Sequence, residues 1–339
     1  MLVLIADDLT GTLDAAAPFA SRGFHVEVAL SIEVIAQAVS EKPDVLAVNL
    51  ASREIDADAA RRRTVAALAA LPPAARLFKK VDSRLKGHIA TELDAMRYRS
   101  ALVAPAIPDF GRVVLDGHVQ GFGVDVPISV AERLGTHAAR AVVPDTPTQS
   151  AMDAVLDIPG IDLLIGARGL ADALAARMSD GRAPGLAAIP PGRGLFVIGS
   201  RDPITLAQID ALRAAGDPRY LPAPNGVLSD AQPDESPLTL VQAVPGAAEA
   251  SGHMVSQALA ESVCPTLTEG ASILLLSGGA TAEAVLARMG IERFRLMGEC
   301  LPGLGLAHAQ GHCIIAKSGG FGGPDTLTQI ADRILRKTG

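Results

Sequence analysis

Short apolar runs rich in Val, Leu, Ile and Ala alternate along the chain with stretches in which apolar residues recur every three or four positions. The short runs predict strands at 2–6, 25–30, 45–49, 77–81, 101–104, 163–165, 195–198, 273–276 and 313–316. The longer periodic stretches predict helices at 12–21, 57–70, 89–97, 170–178, 204–214, 282–289 and 326–335. Strand followed by helix, repeated many times, implies an α/β fold with mainly parallel sheets and right-handed crossovers. Ligands of such sheets bind beyond the carboxyl ends of the strands, so the loops that follow strands are where chemistry is expected.

The pattern breaks once in the middle. Residues 180–194 (DGRAPGLAAIPPGRG) hold four Gly and three Pro and follow neither period, as an interdomain linker does. Two α/β domains are therefore expected, at 1–185 and 194–339, joined by a linker at 186–193. A second polar, turn-rich segment at 225–237 reads as a surface loop of the second domain. The length agrees: 339 residues exceed the roughly 250–300 that one core serves.

Composition narrows the function classes. With 49% hydrophobic and 20% charged residues the chain can bury large cores and is not a disordered one. Aromatic residues are scarce, at 3%, so those cores are mainly aliphatic. A net charge of −7 argues against general nucleic-acid binding, which needs a cationic surface. No apolar run reaches the ~18–20 residues that span a bilayer. The opening MLVLIA lacks a basic flank and is broken by Asp7 and Asp8, which makes it a strand, not a signal peptide. Cys264, Cys300 and Cys313 are odd in number and far apart, as free thiols of a reducing compartment are. A cytoplasmic protein with no membrane and no nucleic-acid partner is expected; self-association into a homo-oligomer stays open.

Two loops of the first half concentrate charge. Asp7-Asp8-Leu9-Thr10-Gly11 follows the first strand, and carboxylates there can hold hydroxyls, act as a base or help bind Mg²⁺. The structural alternative is that one acid caps the next helix while the other is solvated. Lys79-Lys80-Val81-Asp82-Ser83-Arg84-Leu85-Lys86-Gly87 brings four cations, an acid and a hydroxyl to a strand-to-helix turn, a receptor for carboxylate or phosphate. Arg53, after the strand at 45–49, is another candidate anion clamp. His88 is the one histidine beside these loops, and His118 reads as a turn or surface residue.

Three loops of the second half are instead rich in small residues: Gly199-Ser200-Arg201-Asp202, Ser277-Gly278-Gly279-Ala280-Thr281 and Lys317-Ser318-Gly319-Gly320-Phe321-Gly322-Gly323. Small residues let backbone N–H groups approach phosphates closely at a helix start, although glycines also serve ordinary tight turns. Together the three suggest the phosphate tail of a nucleotide. Walker A, protein-kinase, HExxH and GxSxG signatures are absent, and no metal-ligating set is assigned. Dinucleotide-dependent dehydrogenation is disfavoured because no GxGxxG follows an early strand.

On these residues the chain resembles the four-carbon acid sugar kinase family, formerly a domain of unknown function. The blocks are IADDLTGTLDAAAPFASRG at 5–23, NLASR at 49–53, KKVDSRLKG at 79–87, APAIPDFGR at 104–112, GARGLADALA at 166–175, VIGSRDPITLAQI at 197–209, LLLSGGATAEAVL at 274–286 and AKSGGFGGPDTL at 316–327. The resemblance implies a sugar-acid-binding domain and a nucleotide-binding domain, a ligand cleft between them, and ATP-dependent phosphorylation of the terminal C4 hydroxyl of D-threonate, D-erythronate or 3-oxo-tetronate. It implies a substrate site at Asp8, Arg53, Lys80, Asp82, Ser83, Arg84 and Lys86, with the base among Asp7, Asp8 and Asp82. It implies an ATP site at Ser200, Gly278, Gly279, Ala280, Thr281, Lys317, Gly319 and Gly320, with Mg²⁺ bridging phosphate oxygens. Two positions depart from the family pattern: Lys86 stands where Arg is typical, and Ala280 where an acidic residue is common. A relative that binds both ligands without turning them over, acting as a sensor, is the alternative.

Overall fold

The computed structural model describes residues 1–216, 218–229, 232 and 234–335. The chain divides into two compact units, Met1–Gly185 and Leu186–Gly339. Part of the turn-rich segment expected at 225–237 and the last four residues of the domain expected at 194–339 lie outside the described residues. No helix among the described residues is long and apolar enough to cross a membrane.

In chain order the first unit comprises β1 (Leu2–Ala6), α1 (Leu9–Ala20), β2 (Val26–Ala29), α2 (Ile35–Ser40), β3 (Val45–Asn49), α3 (Ala57–Ala69), β4 (Arg76–Lys80), α4 (Ile89–Leu93) and β5 (Ala101–Ala104). It continues with β6 (Arg112–Leu115), β7 (His118–Gly121), β8 (Val124–Ser129), α5 (Val130–Leu134), β9 (Ala141–Val142), α6 (Gln149–Val155), β10 (Leu163–Gly166) and α7 (Arg168–Met178). Its main strands run in the order β2-β3-β1-β4-β10-β5-β9, every pair parallel. The chain leaves β1 toward β2 and β3 on one side, then crosses to β4 on the other. Loops after β3, β1 and β4 therefore open side by side, at the switch in strand order where α/β sheets bind ligands. Strand β1 is buried throughout, as a strand covered on both faces must be.

The second unit comprises β11 (Gly194–Ile198), α8 (Pro203–Ala215), β12 (Arg219–Pro224), β13 (Leu238–Val244), α9 (Gly252–Val263), β14 (Ile273–Ser277), α10 (Gly279–Arg288), β15 (Arg293–Leu301), β16 (Leu304–Ala309), β17 (His312–Lys317) and α11 (Thr326–Leu335). Its strands run β12-β13-β11-β14-β17-β16-β15. The switch in order falls at β11 and β14, with β17 next, so the three small-residue loops follow three adjacent strands. A hydrophobic core of Phe196, Ile198, Leu240, Ile273, Leu275, Ile315, Leu327 and Ile330 lies beneath them. The segment expected as a linker is part of this unit: Ala187 and Ile189 pack on that core, and the Ala187 N–H donates to Glu299.

Not all pairing is parallel. β15–β16 and β16–β17 are antiparallel, and β6-β7-β8 form a separate antiparallel meander. A tight turn makes one hairpin in each of these excursions, β6–β7 and β16–β17. Asp116-Gly117 and Gln310-Gly311 each put two consecutive residues at positive φ, the geometry of a two-residue hairpin, between paired Leu115/His118 and Ala309/His312.

Candidate functional site

Asp7 and Asp8 leave β1 at the switch point, and the chain uses them differently. Asp7 is buried, and Arg53 grips it with a two-pronged contact, Nε to Oδ2 at 2.9 Å and Nη2 to Oδ1 at 2.8 Å. Backbone N–H groups of Ser52 and Arg53 also donate to the Asp7 carbonyl, which fixes the loop after β3 to the end of β1. Asp8 caps α1 by accepting from the Gly11 N–H at 2.8 Å, and takes further bonds from the Thr10 hydroxyl and from Arg53 Nη1 at 2.6 Å. Burial alone would raise the Asp7 pKa; the bonded Arg53 and the charges of Lys79, Arg53 and Lys80 more than reverse it and hold the carboxyl below its ordinary value. Burial pulls the other way on Arg53 too, but its two aspartates keep that guanidinium firmly charged.

Arg53 therefore has its charge answered within the protein, and the carboxylate clamp expected of it is directed at Asp7 and Asp8. Lys80 differs. It is 4% exposed, and its ammonium lies beside α1, where a Cβ on Gly11 would stand 2.9 Å from Nζ and 2.5 Å from Asp8 Oδ1. Only a glycine leaves this space open. Gly87 does the same on the other flank: its φ is +91°, and a Cβ there would stand 2.5 Å from Asp7 Oδ2.

The loop from Asp82 to Gly87 is a compact turn. Asp82 accepts from the Arg84 N–H at 2.9 Å, and its Oδ2 lies 4.0 Å from both Arg53 Nη1 and Lys86 Nζ. Arg84 and Lys86 are exposed, whereas Ser83 is buried and accepts from Arg112 Nη1 at 2.5 Å. His88 bonds the Ile55 carbonyl and serves the loops structurally. His118 is a half-buried residue of β7. Behind the site lies a buried ion pair that the sequence reading passes over: Lys79 Nζ and Glu92 Oε2 are 2.5 Å apart and each side chain is 1% exposed. Glu92 also accepts from the Ser52 hydroxyl at 2.5 Å. Its signal was a charged residue in a buried helical stripe with Ile89 and Leu93.

In the second unit, Asp202 caps α8 through the Ile204 N–H, with Pro203 in the first turn. No side chain caps α10, whose N-cap is Gly278 at φ +104°. The first turn of α10, Gly279-Ala280-Thr281, thus presents backbone N–H groups and the positive end of the helix dipole, with Ala280 exposed. Close packing dictates the small residues. A Cβ on Gly319 would stand 2.3 Å from Ser200 Oγ, and one on Gly199 would overlap Thr281 Oγ1. Thr281 is buried and bonds Ser256, while Gly320 is exposed beside Asp202.

Lys317, expected at the nucleotide, has bonds within the protein as well. It is 1% exposed, and its ammonium donates to Thr205 Oγ1, Ser318 O and Gly319 O, each at 3.1 Å. Two of these acceptors lie in the glycine-rich loop and the third, Thr205 on α8, itself donates to Gly319 O, so Lys317 ties that loop to α8. Burial pulls it down to about 8, against the opposing charge of Asp202. Gln208 on α8 completes the tie by donating to the carbonyls of Phe321 and Gly323. Among the described residues no group of three or more His, Cys, Asp or Glu gathers to hold a metal by itself.

The first unit thus brings Asp7, Asp8, Arg53, Lys80 and Asp82 together, and the second brings Ser200, Gly278–Thr281, Gly319 and Gly320 together. Residues 2–132 match a family model described as a sugar-binding N-terminal domain, and residues 223–327 match a nucleotide-binding C-terminal domain. The class so defined is a two-domain α/β protein that pairs a sugar-binding module with a nucleotide-binding one. The D-threonate kinase of Salmonella typhimurium is 27% identical, the alignment covering 96% of this chain and 96% of that one. The 3-oxo-tetronate kinase of Methylobacterium radiotolerans is 28% identical, over 97% of this chain and 98% of its own. The chain belongs to the four-carbon acid sugar kinase family. A Haemophilus influenzae protein of the former unknown-function family has the same fold, with a TM-score of 0.72 and 20% identity over 99% of this chain and all of that one.

Proposed function

We propose that this chain is an ATP-dependent kinase that transfers the γ-phosphoryl group to the terminal C4 hydroxyl of a four-carbon sugar acid such as D-threonate, D-erythronate or 3-oxo-tetronate. The observation that carries the reading is the contrast between the two sites. One is lined by paired acids and by buried and exposed cations, the other by an uncapped helix start and glycine turns. Phosphoryl transfer asks the protein for positioning and charge neutralisation more than for covalent chemistry. The substrate carboxylate fits Lys80, Arg84 and Lys86, and the substrate hydroxyls fit Asp8 and Asp82. Asp8 and Asp82 are also the candidates for orienting or deprotonating the attacking hydroxyl. Asp7, held ionised and fully engaged by Arg53, is a weak base and a strong anchor.

On the nucleotide side, the N–H groups of Gly279, Ala280 and Thr281, with Gly319 and Gly320, suit phosphate oxygens, and Ser200 adds a hydroxyl. Mg²⁺ that arrives on phosphates needs only one or two carboxylates from the protein. Asp202, beside Gly320, fits that requirement, and the ion would neutralise charge on the transferred group. Transfer requires the phosphate held by one unit to reach the hydroxyl held by the other. A cytoplasmic, reducing setting suits the three free buried thiols.

The test is purified protein with ATP, Mg²⁺ and a panel of four-carbon acids, ADP release being coupled to NADH oxidation and the product located by ³¹P–¹H correlation. Turnover of at least one acid with phosphate on C4 is expected. Tight binding of acid and ATP with no ADP would make the chain a binding-only relative.

A further inference from the structure

We propose that Arg112, on β6, joins Lys80, Arg84 and Lys86 in reading the substrate's carboxylate and supplies the two-pronged contact that favours acids at this site; the inference rests on the sugar-acid reading above. Arg112 is half-buried where the meander meets the Asp82–Gly87 loop. Its Nε and Nη2 both donate to the Phe122 carbonyl, at 3.0 and 2.9 Å, and its Nη1 donates to Ser83 Oγ. A guanidinium has five N–H donors. These three bonds use the one on Nε and one on each terminal nitrogen, which leaves one unused N–H on Nη1 and one on Nη2. A guanidinium with a free N–H on each terminal nitrogen can meet the two oxygens of a carboxylate.

Charge separates Arg112 from Arg53. Arg53 is paired with Asp7 at 2.8 Å and Asp8 at 2.6 Å. Arg112 has no ion-pair partner within 4.0 Å among the described residues, and the acceptors it touches are a carbonyl and a hydroxyl. Desolvation and the positive charge of Arg84 both bear against its protonated form, with only Asp82 in favour. A half-buried guanidinium held in place by neutral acceptors, with a second arginine's charge pressing on it, is a receptor that an anion completes. The Phe122 and Ser83 contacts also fix its plane, so little side-chain entropy is lost on binding.

The experiment crosses the side chain with the ligand charge. Binding of the preferred four-carbon acid and of its primary amide is measured by calorimetry on the full chain, for wild type and Arg112→Gln. Arg112→Gln is expected to weaken the acid about 10- to 100-fold and the amide less than about 2-fold, as loss of a charge-assisted pair does. The KM for the acid should rise in step while the KM for ATP stays put. Equal weakening of acid and amide would show that Arg112 merely props the meander, and a rise in the KM for ATP would assign it to phosphate; either overturns the inference alone. A wild type that neither binds nor phosphorylates any such acid overturns the inference together with the functional reading. If Arg112→Gln does not fold, Arg112→Lys takes its place in the same acid-to-amide comparison. It keeps the charge and loses the fork, so a smaller loss, still confined to the acid, is expected.

Discussion

Replacing Glu92 with leucine would strip two buried groups of their partner at once. Lys79 would be left with 1% of its side chain exposed and no carboxylate at 2.5 Å, and the Ser52 hydroxyl would lose its acceptor. Removing one member of a buried pair costs about 3–5 kcal/mol, most of it the penalty for the abandoned charge. A buried hydroxyl left without a partner costs about 1–3 kcal/mol. The two losses share one carboxylate and do not add in full, so about 4–6 kcal/mol is expected, a large part of the ~5–15 kcal/mol that holds a typical domain folded. Lys79→Met together with Glu92→Leu removes both charges and should return all but about 1–2 kcal/mol, because apolar replacements of buried pairs are often neutral or better. Urea unfolding followed by far-UV circular dichroism reads both variants, with Glu92→Gln as a milder third. If Glu92→Leu costs less than about 1 kcal/mol, or the double variant is no more stable than the single, the pair is not what holds the Ser52–Arg53 loop and the reasoning fails.

Other consequences are open to measurement. Gly11→Ala would push a methyl group into Asp8 and Lys80, so sugar-acid affinity should drop at least about 10-fold, with ATP affinity unchanged, in a calorimetric titration. Asp7 has a depressed pKa, so its stabilisation is present above about pH 4 and is lost as pH falls through the folded value; Asp7→Asn should flatten the acid limb of the stability curve. Lys317, pulled down to about 8, opposes the fold while the ammonium is forced to stay charged. The unfolded chain binds that proton more tightly, so stability should rise with pH above about 8, and the difference between wild type and Lys317→Met measured from pH 7.5 to 9.5 isolates this contribution. A Cβ on Gly319 would meet Ser200, so Gly319→Ala should weaken ATP binding severalfold in a thermal-shift titration while leaving sugar-acid binding intact.

The alternation of strands and helices was legible because each βα unit writes its own period: β1, β3 and β5 fall where the apolar runs end. The loops after those strands could be singled out because parallel sheets present ligands there. The meander at β6–β8 escaped because its strands are short and β8 is largely exposed, so no apolar run marks it; the Asp116-Gly117 turn was the one local clue. Of the antiparallel arm only β17 was read, as the strand at 313–316; β15 and β16 were missed for a related reason, the turn at Gln310-Gly311 being a weaker signal than Asn-Gly. Within the site, residue type and loop position pointed to Asp8 and Lys80, but neither discloses that Arg53 spends its charge on Asp7 and Asp8 or that Lys317 folds back on its own loop. Those are facts of direction, set by side-chain packing. Glu92 and Arg112 belong with them, since their partners Ser52 and Ser83 lie 40 and 29 residues away in sequence.

Strand β9 is only two residues long and pairs with β5 at Ala101 and Leu102 alone. An extended peptide in search of a ladder to copy finds just two rungs there, too few for the repeated main-chain bonding on which amyloid-like growth depends. Lengthening β9 to match β5, a change that looks stabilising on paper, would expose a full template to every other molecule in solution.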